Sequence, residues 1–280
     1  MILLCAVLAA ALAAGPNEDL PIDASWALDR GWDDGRAEVA HYDARRTIYG
    51  VGRTFETVLI TVKEDHDPRL GVKADPPYAG RDLVPVLKMN MLSRIQTENY
   101  PYDYMTSLFV RRDDPRAVTK LAQSSQEWCG TTFKEVVTWS GEPHIVHHSY
   151  FDGQADGRLP LPLGPGVYLE EQLFLLMRAA LLEPGIDRRI SLYESLVTND
   201  ARPPTLREVI VSLAGRETVS TPAGTFTALR IEIRDPNAPQ PPQMTFWIGD
   251  AGARALLRFE AGDGRSLQLR RISRRDYWSR

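Results

Sequence analysis

Short runs in which apolar and polar residues alternate, cut at close intervals by Gly and Pro, constrain this chain more than any other feature. Val58, Ile60 and Val62 alternate with Thr57, Thr61 and Lys63, and Val209, Val211 and Leu213 alternate with Glu208, Ile210 and Ser212. A period of two sends successive side chains to opposite faces of a strand, so each run offers one face for burial. No repeat, low-complexity tract or long linker breaks the pattern. The sequence predicts a mostly β fold, an antiparallel curved sheet or incomplete β-barrel, in a single domain over 15–280. With 280 residues, 43% of them hydrophobic and 25% charged, the chain has the composition of a globular protein with a sizeable core.

The clearest hairpin joins 206–221 to 224–235. Thr221-Pro222-Ala223-Gly224 supplies a Pro that presets φ and a Gly for a positive φ. Leu229, Ile231 and Ile233 line one face of its return strand. Met244 to Ile248, Ala255 to Glu260 and Ser266 to Ile272 complete a C-terminal meander over about 206–273. One long helix is expected at Val167 to Leu182, between Pro165-Gly166 and Pro184-Gly185. It is apolar nearly all round, which predicts a buried core helix, a helix that plugs a barrel or lines an apolar ligand cavity, or a helix on a membrane surface.

Ile2 to Ala14 is an uncharged apolar run ending in small residues, and the first charged side chain is Glu18. This is the pattern of a signal peptide over 1–14, too short to span a membrane, and it predicts a periplasmic or otherwise exported protein. Leu3 and Leu4 before Cys5 do not make a lipobox. Cleavage would remove Cys5 and leave Cys129 alone, so no internal disulfide is expected. With 33 basic and 37 acidic side chains, a net charge of -4 argues against nucleic acid as a partner. Seven acids fall in 17–38 and six arginines in 265–280. Attraction between the two ends accounts for this; peripheral contact of the basic C-terminus with anionic lipid is the sharper reading.

Ser124-Ser125-Gln126-Glu127-Trp128-Cys129-Gly130 sets a thiol between Trp and Gly. A nucleophilic role for Cys129 needs a histidine, or Glu127, as its base. A hairpin of 131–139 with 143–151, turning at Ser140-Gly141-Glu142-Pro143, would set His148 opposite Lys134 and His147 opposite Glu135. It would leave Cys129 about 17 Å from His148. On that strand His144 and His148 lie about 13 Å apart and His147 points the other way, so no metal site is expected. Glu64-Asp65-His66-Asp67 reads as a solvated acidic turn without the spacing of a calcium loop. Tyr100-Pro101-Tyr102-Asp103-Tyr104 is either a strand-entry packing motif or, with Trp128 and Cys129, the lining of a site for a flat or apolar ligand. No phosphate loop, GxSxG elbow, HExxH helix or dinucleotide fingerprint occurs, and no cofactor is expected.

Tyr100-Pro101-Tyr102 with Met105-Thr106-Ser107, the Ser124 to Gly130 run and Ser149-Tyr150-Phe151 resemble an uncharacterised family of exported bacterial proteins. Thr221-Pro222-Ala223-Gly224-Thr225-Phe226, followed by Phe246-Trp247-Ile248, looks like a related domain of unknown function in envelope proteins. The resemblance implies a secreted or periplasmic, barrel-like β fold with no established activity. Members are often labelled "septum formation inhibitor Maf", but the Ser-x-Ser-Pro-Arg-Arg run of Maf pyrophosphatases does not occur in this chain. The expectation is a non-enzymatic envelope protein that binds an apolar small molecule or lipid, or docks on an envelope protein partner. The alternative is a hydrolase or transferase using Cys129.

Overall fold

Residues 18–276 are described in the computed structural model, so the expected signal peptide, with Cys5, lies outside the described residues. A short helix α1 (Ser25–Leu28) precedes a long hairpin of β1 (Arg36–Ile48) and β2 (Val51–Asp67), and the stub β3 (Val72–Lys73) folds back on the end of β2. An antiparallel meander follows through β4 (Val84–Gln96), β5 (Pro101–Arg111), β6 (Val118–Glu127), β7 (Gly130–Val137), β8 (His144–Ser149) and β9 (Gly157–Pro160). β10 (Val167–Leu169) leads into a 3-10 turn at Glu170–Gln172 and helix α2 (Leu173–Ala179). The chain ends in β11 (Arg188–Tyr193), β12 (Leu206–Thr221), β13 (Gly224–Arg234), β14 (Met244–Gly249), β15 (Leu256–Ala261) and β16 (Ser266–Asp276).

The described strands form one sheet, ordered β10-β11-β12-β13-β14-β15-β16-β1-β2-β4-β5-β6-β7-β8-β9 with β3 to one side. Only β10 and β11 run parallel. The sheet does not close into a barrel, because β9 and β10 remain edges. The C-terminal meander falls where the sequence puts it, and its turn is the two-residue loop Pro222-Ala223 between Thr221 and Gly224. β16 pairs with β1 and so merges the two meanders. The charged ends meet there: Arg274 bonds Asp34 at 2.6 Å and Arg36 bonds Asp276 at 2.9 Å.

The sheet curves around α2. Leu59, Met89, Leu108, Leu121, Val136 and Ile145 from one half join Ile190, Val209, Ile231, Phe246, Phe259 and Leu267 from the other in one cluster with the helix. Phe174 sits at its centre, with ring centroids 5.5 Å from Phe246 and 5.1 Å from Phe259. All seven α2 side chains are buried, Arg178 included. Arg178 forms a two-pronged bond with buried Glu38 at 2.7 and 3.0 Å and lies over the Trp26 ring.

Four details differ from the sequence expectation. The helical segment covers Glu170–Ala179 rather than Val167 to Leu182. Val167, Tyr168 and Leu169 are good strand formers and pair with Ser191, Leu192 and Tyr193, while Ala180 turns extended and bridges Ile22. In β2 the main core takes Leu59, whereas Val58, Ile60 and Val62 pack on the other face in a satellite cluster with Ala37 and Val39. Glu64 to Asp67 is not a solvated turn but the buried end of β2. Its acids are matched there: Lys88 reaches Glu64, and Arg69 and Arg81 reach Asp67. Finally, β7 and β8 pair one residue out of the expected register, with His147 opposite Lys134 and His148 opposite Phe133.

Candidate functional site

Antiparallel order places alternate connections at one end of the sheet. At that end lie the β1–β2 turn at Tyr49-Gly50, the β4–β5 connection at 97–100, the β6–β7 turn at Trp128-Cys129 and Tyr150 after β8. Segments around Tyr49, Tyr100, Trp128 and Tyr150, distant in sequence, thus converge.

Tyr100 just before β5, and Tyr102 and Tyr104 within it, alternate and share a face. Their rings form a ladder, 5.5 Å from Tyr100 to Tyr102 and 6.3 Å from Tyr102 to Tyr104, and Trp128 stacks on Tyr100 at 5.7 Å with an interplanar angle of 23°. The ladder runs from the interior to solvent, since Tyr102 is 2% exposed and Trp128 is 78% exposed. Tyr49 is 77% exposed, yet its hydroxyl lies 2.7 Å from that of Tyr102. Burial, then hydrogen bonds with Tyr49, Tyr100 and Glu127, push the Tyr102 hydroxyl far above its ordinary pKa, so it stays neutral.

Local backbone geometry holds these rings in place. Tyr49 has φ +50° and Gly50 φ +76°, the paired positive values of a tight hairpin turn. A side chain other than Gly, Asn or Asp is unusual at such a position, so the tyrosine is held there against backbone preference. Gly130 follows Cys129 at φ +158°, and a Cβ there would lie 2.5 Å from the Tyr150 ring, which packs directly over its backbone.

Cys129 is exposed, and its Sγ lies 3.1 Å from the Tyr100 hydroxyl. That bond is the largest influence raising the Tyr100 pKa. Glu127 Oε1 accepts from Asn199 Nδ2 at 2.8 Å, and the carboxylate also bonds Tyr102. The five histidines of the chain are engaged elsewhere: His41 with Glu56, His66 against Phe109, His144 with the Glu142 carbonyl, His147 packed on Gly157, and His148 with Asp156. Among the described residues no group of three His, Cys, Asp or Glu side chains could hold a metal ion.

Below the ladder the concave interior is largely filled. A cavity of about 70 Å³ remains, lined by Tyr104 but not by Tyr102, Trp128 or Cys129. A polar row crosses the inner face beside it, with Thr106 opposite Gln123, Gln123 opposite Lys134 and Lys134 opposite His147. Buried Lys134 donates to the Thr198 carbonyl, the Thr198 hydroxyl and the Asp200 carbonyl at 3.1, 2.9 and 2.6 Å, and so pins the 198–200 segment over the sheet. Burial lowers its pKa to about 8.

The sequence brings forward Tyr100, Tyr102, Tyr104, Trp128 and Cys129 together, and the fold gathers all five. It gives little sign of Tyr49 or Asn199, which reach the site across long sequence separations. The tyrosine in Ile48-Tyr49-Gly50-Val51, between two alternating runs, is the one local signal for them. Comparison with family models, with curated proteins and with solved structures finds no match to this chain.

Proposed function

We propose that this is an exported, non-enzymatic binding protein of the bacterial envelope, of the family it resembles, whose aromatic end takes a flat or apolar ligand. The observation that supports this reading most is the Trp128–Tyr100 stack. Stacking is worth about 0.5 to 1.5 kcal/mol, whereas full burial of a large apolar side chain is worth about 1.5 to 3 kcal/mol. Folding alone therefore gives little reason to hold an indole in solvent on a rigid base, or a tyrosine at positive φ beside it. A preformed aromatic face lowers the ordering cost of binding. Nucleophilic catalysis by Cys129 has less support, because its thiol contacts a neutral phenol and the Glu127 carboxylate is committed to Asn199 and Tyr102.

Titration with the uncharged fluorophore N-phenyl-1-naphthylamine is the direct test. Saturable binding is expected, weakened about tenfold or more in Trp128→Ala and in Tyr49→Ala, consistent with loss of a central aromatic contact. Mass spectrometry of solvent extracts from periplasmic protein would then identify an apolar ligand that co-purifies. Equal binding by wild type and both variants would refute the assignment.

A further inference from the structure

The small interior cavity carries two polar anomalies. Glu171 is buried, and its Oε1 accepts from Ser195 Oγ at 2.7 Å and from the Leu196 amide at 2.8 Å. Its Oε2 has no partner, although Glu171 lines the cavity. Arg46 lines the same cavity, lies 4.9 Å over the Tyr104 ring and donates to the Val197 carbonyl at 2.7 Å. No carboxylate of the described residues forms an ion pair with it, because nearby Glu170 and Asp263 are held by Arg265. Arg46 is half-buried, and buried polar atoms such as Glu171 Oε2 are ordinarily bonded.

Phe174 and Phe259 form apolar wall of the cavity, and Arg46, Ser195, Val197 and Arg265 also line an adjoining cleft of about 340 Å³. We propose that cavity and cleft together bind a short-chain monocarboxylate, its head between Arg46 and Glu171 and its alkyl chain against Phe174 and Phe259. The guanidinium supplies the charge-assisted hydrogen bonds such a head needs. Burial, with Glu170 adding to it, holds the Glu171 carboxyl above the usual carboxylate range, which favours the form able to donate to a bound carboxylate oxygen. This site is separate from the exposed aromatic face and does not rest on that reading.

Calorimetric titration with sodium hexanoate, hexylammonium chloride and 1-hexanol tests the proposal. Hexanoate is expected to bind and the other two to bind at least about tenfold more weakly, the discrimination that a charge-assisted pair gives. Arg46→Met should reduce hexanoate affinity about tenfold or more. Glu171→Gln, which keeps an acceptor for Ser195 and gains an amide donor, should retain it. Trp128→Ala should leave hexanoate affinity unchanged, which separates this site from the aromatic one. Circular dichroism and thermal melting confirm that each variant is folded. Absence of hexanoate binding at millimolar concentration, equal binding of 1-hexanol, or full affinity in folded Arg46→Met would overturn the assignment.

Discussion

Single residues carry several of the constraints that link this fold to its site. His66 is buried on β2 against Phe109, with ring centroids 4.4 Å apart and Lys120 and Lys88 nearby. Burial, then those two cations, lower its pKa from 6.5 to about 4, so the folded protein keeps the imidazole neutral while the unfolded chain protonates at higher pH. Stability should fall as pH drops from 6.5 towards 4, by about 1 to 3 kcal/mol, because the unfolded state binds the extra proton. Urea unfolding of wild type and His66→Phe across that range checks this. The variant should show a shallower slope, and an identical slope would remove His66 as the cause. The site was partly legible at this scale. Tyr100, Tyr102 and Tyr104 announce themselves by alternation, whereas Glu171, in the polar Glu170-Glu171-Gln172 stretch ahead of the apolar helix, becomes a site residue only when Ser195 and Leu196 fold over it.

Secondary-structure elements were legible where local chemistry decides the backbone. Pro222 and Gly224 mark the β12–β13 turn, Gly224 adopts φ +134°, and the Ala223 amide ties the turn to the Leu269 carbonyl at 3.1 Å. Register was not legible where a loop intervenes. β7 stops at Val137 and β8 starts at His144, so the 138–143 connection leaves the pairing open by one position, and tertiary packing selects it. Apolar content predicts burial of α2 correctly but not its length, because Val167 to Leu169 have a strand partner that no local pattern reveals. The buried Arg178–Glu38 pair ties α2 to β1. Arg178→Met should destabilise by about 3 to 5 kcal/mol because it strands the Glu38 carboxylate. Arg178→Met with Glu38→Leu should recover much of that loss in thermal melts, and a double variant as unstable as the single would contradict this account.

For the molecule as a whole, the decisive pairing is β16 with β1, which joins two meanders into one sheet and places α2 between them. The sequence indicates a curved antiparallel sheet with a buried helix, and the structure adds that α2 fills the concave side and leaves little interior room. Beyond that cavity and its adjoining cleft, we assign ligand binding to the outside, at the end where Tyr49, Tyr100, Trp128 and Tyr150 gather. Two of the four arginines of β16 bond acids, Arg270 with Asp43 and Arg274 with Asp34, and the second of these joins the basic and acidic chain ends. The central claim is that the exposed aromatic end is a preformed binding face. Fluorine NMR of 5-fluorotryptophan-labelled protein during titration with N-phenyl-1-naphthylamine tests it most directly, since Trp26, Trp32 and Trp247 are buried and Trp128 is not. A saturable shift of the Trp128 resonance, with those three unmoved, is predicted. An unmoved Trp128 resonance at saturating probe would contradict the claim.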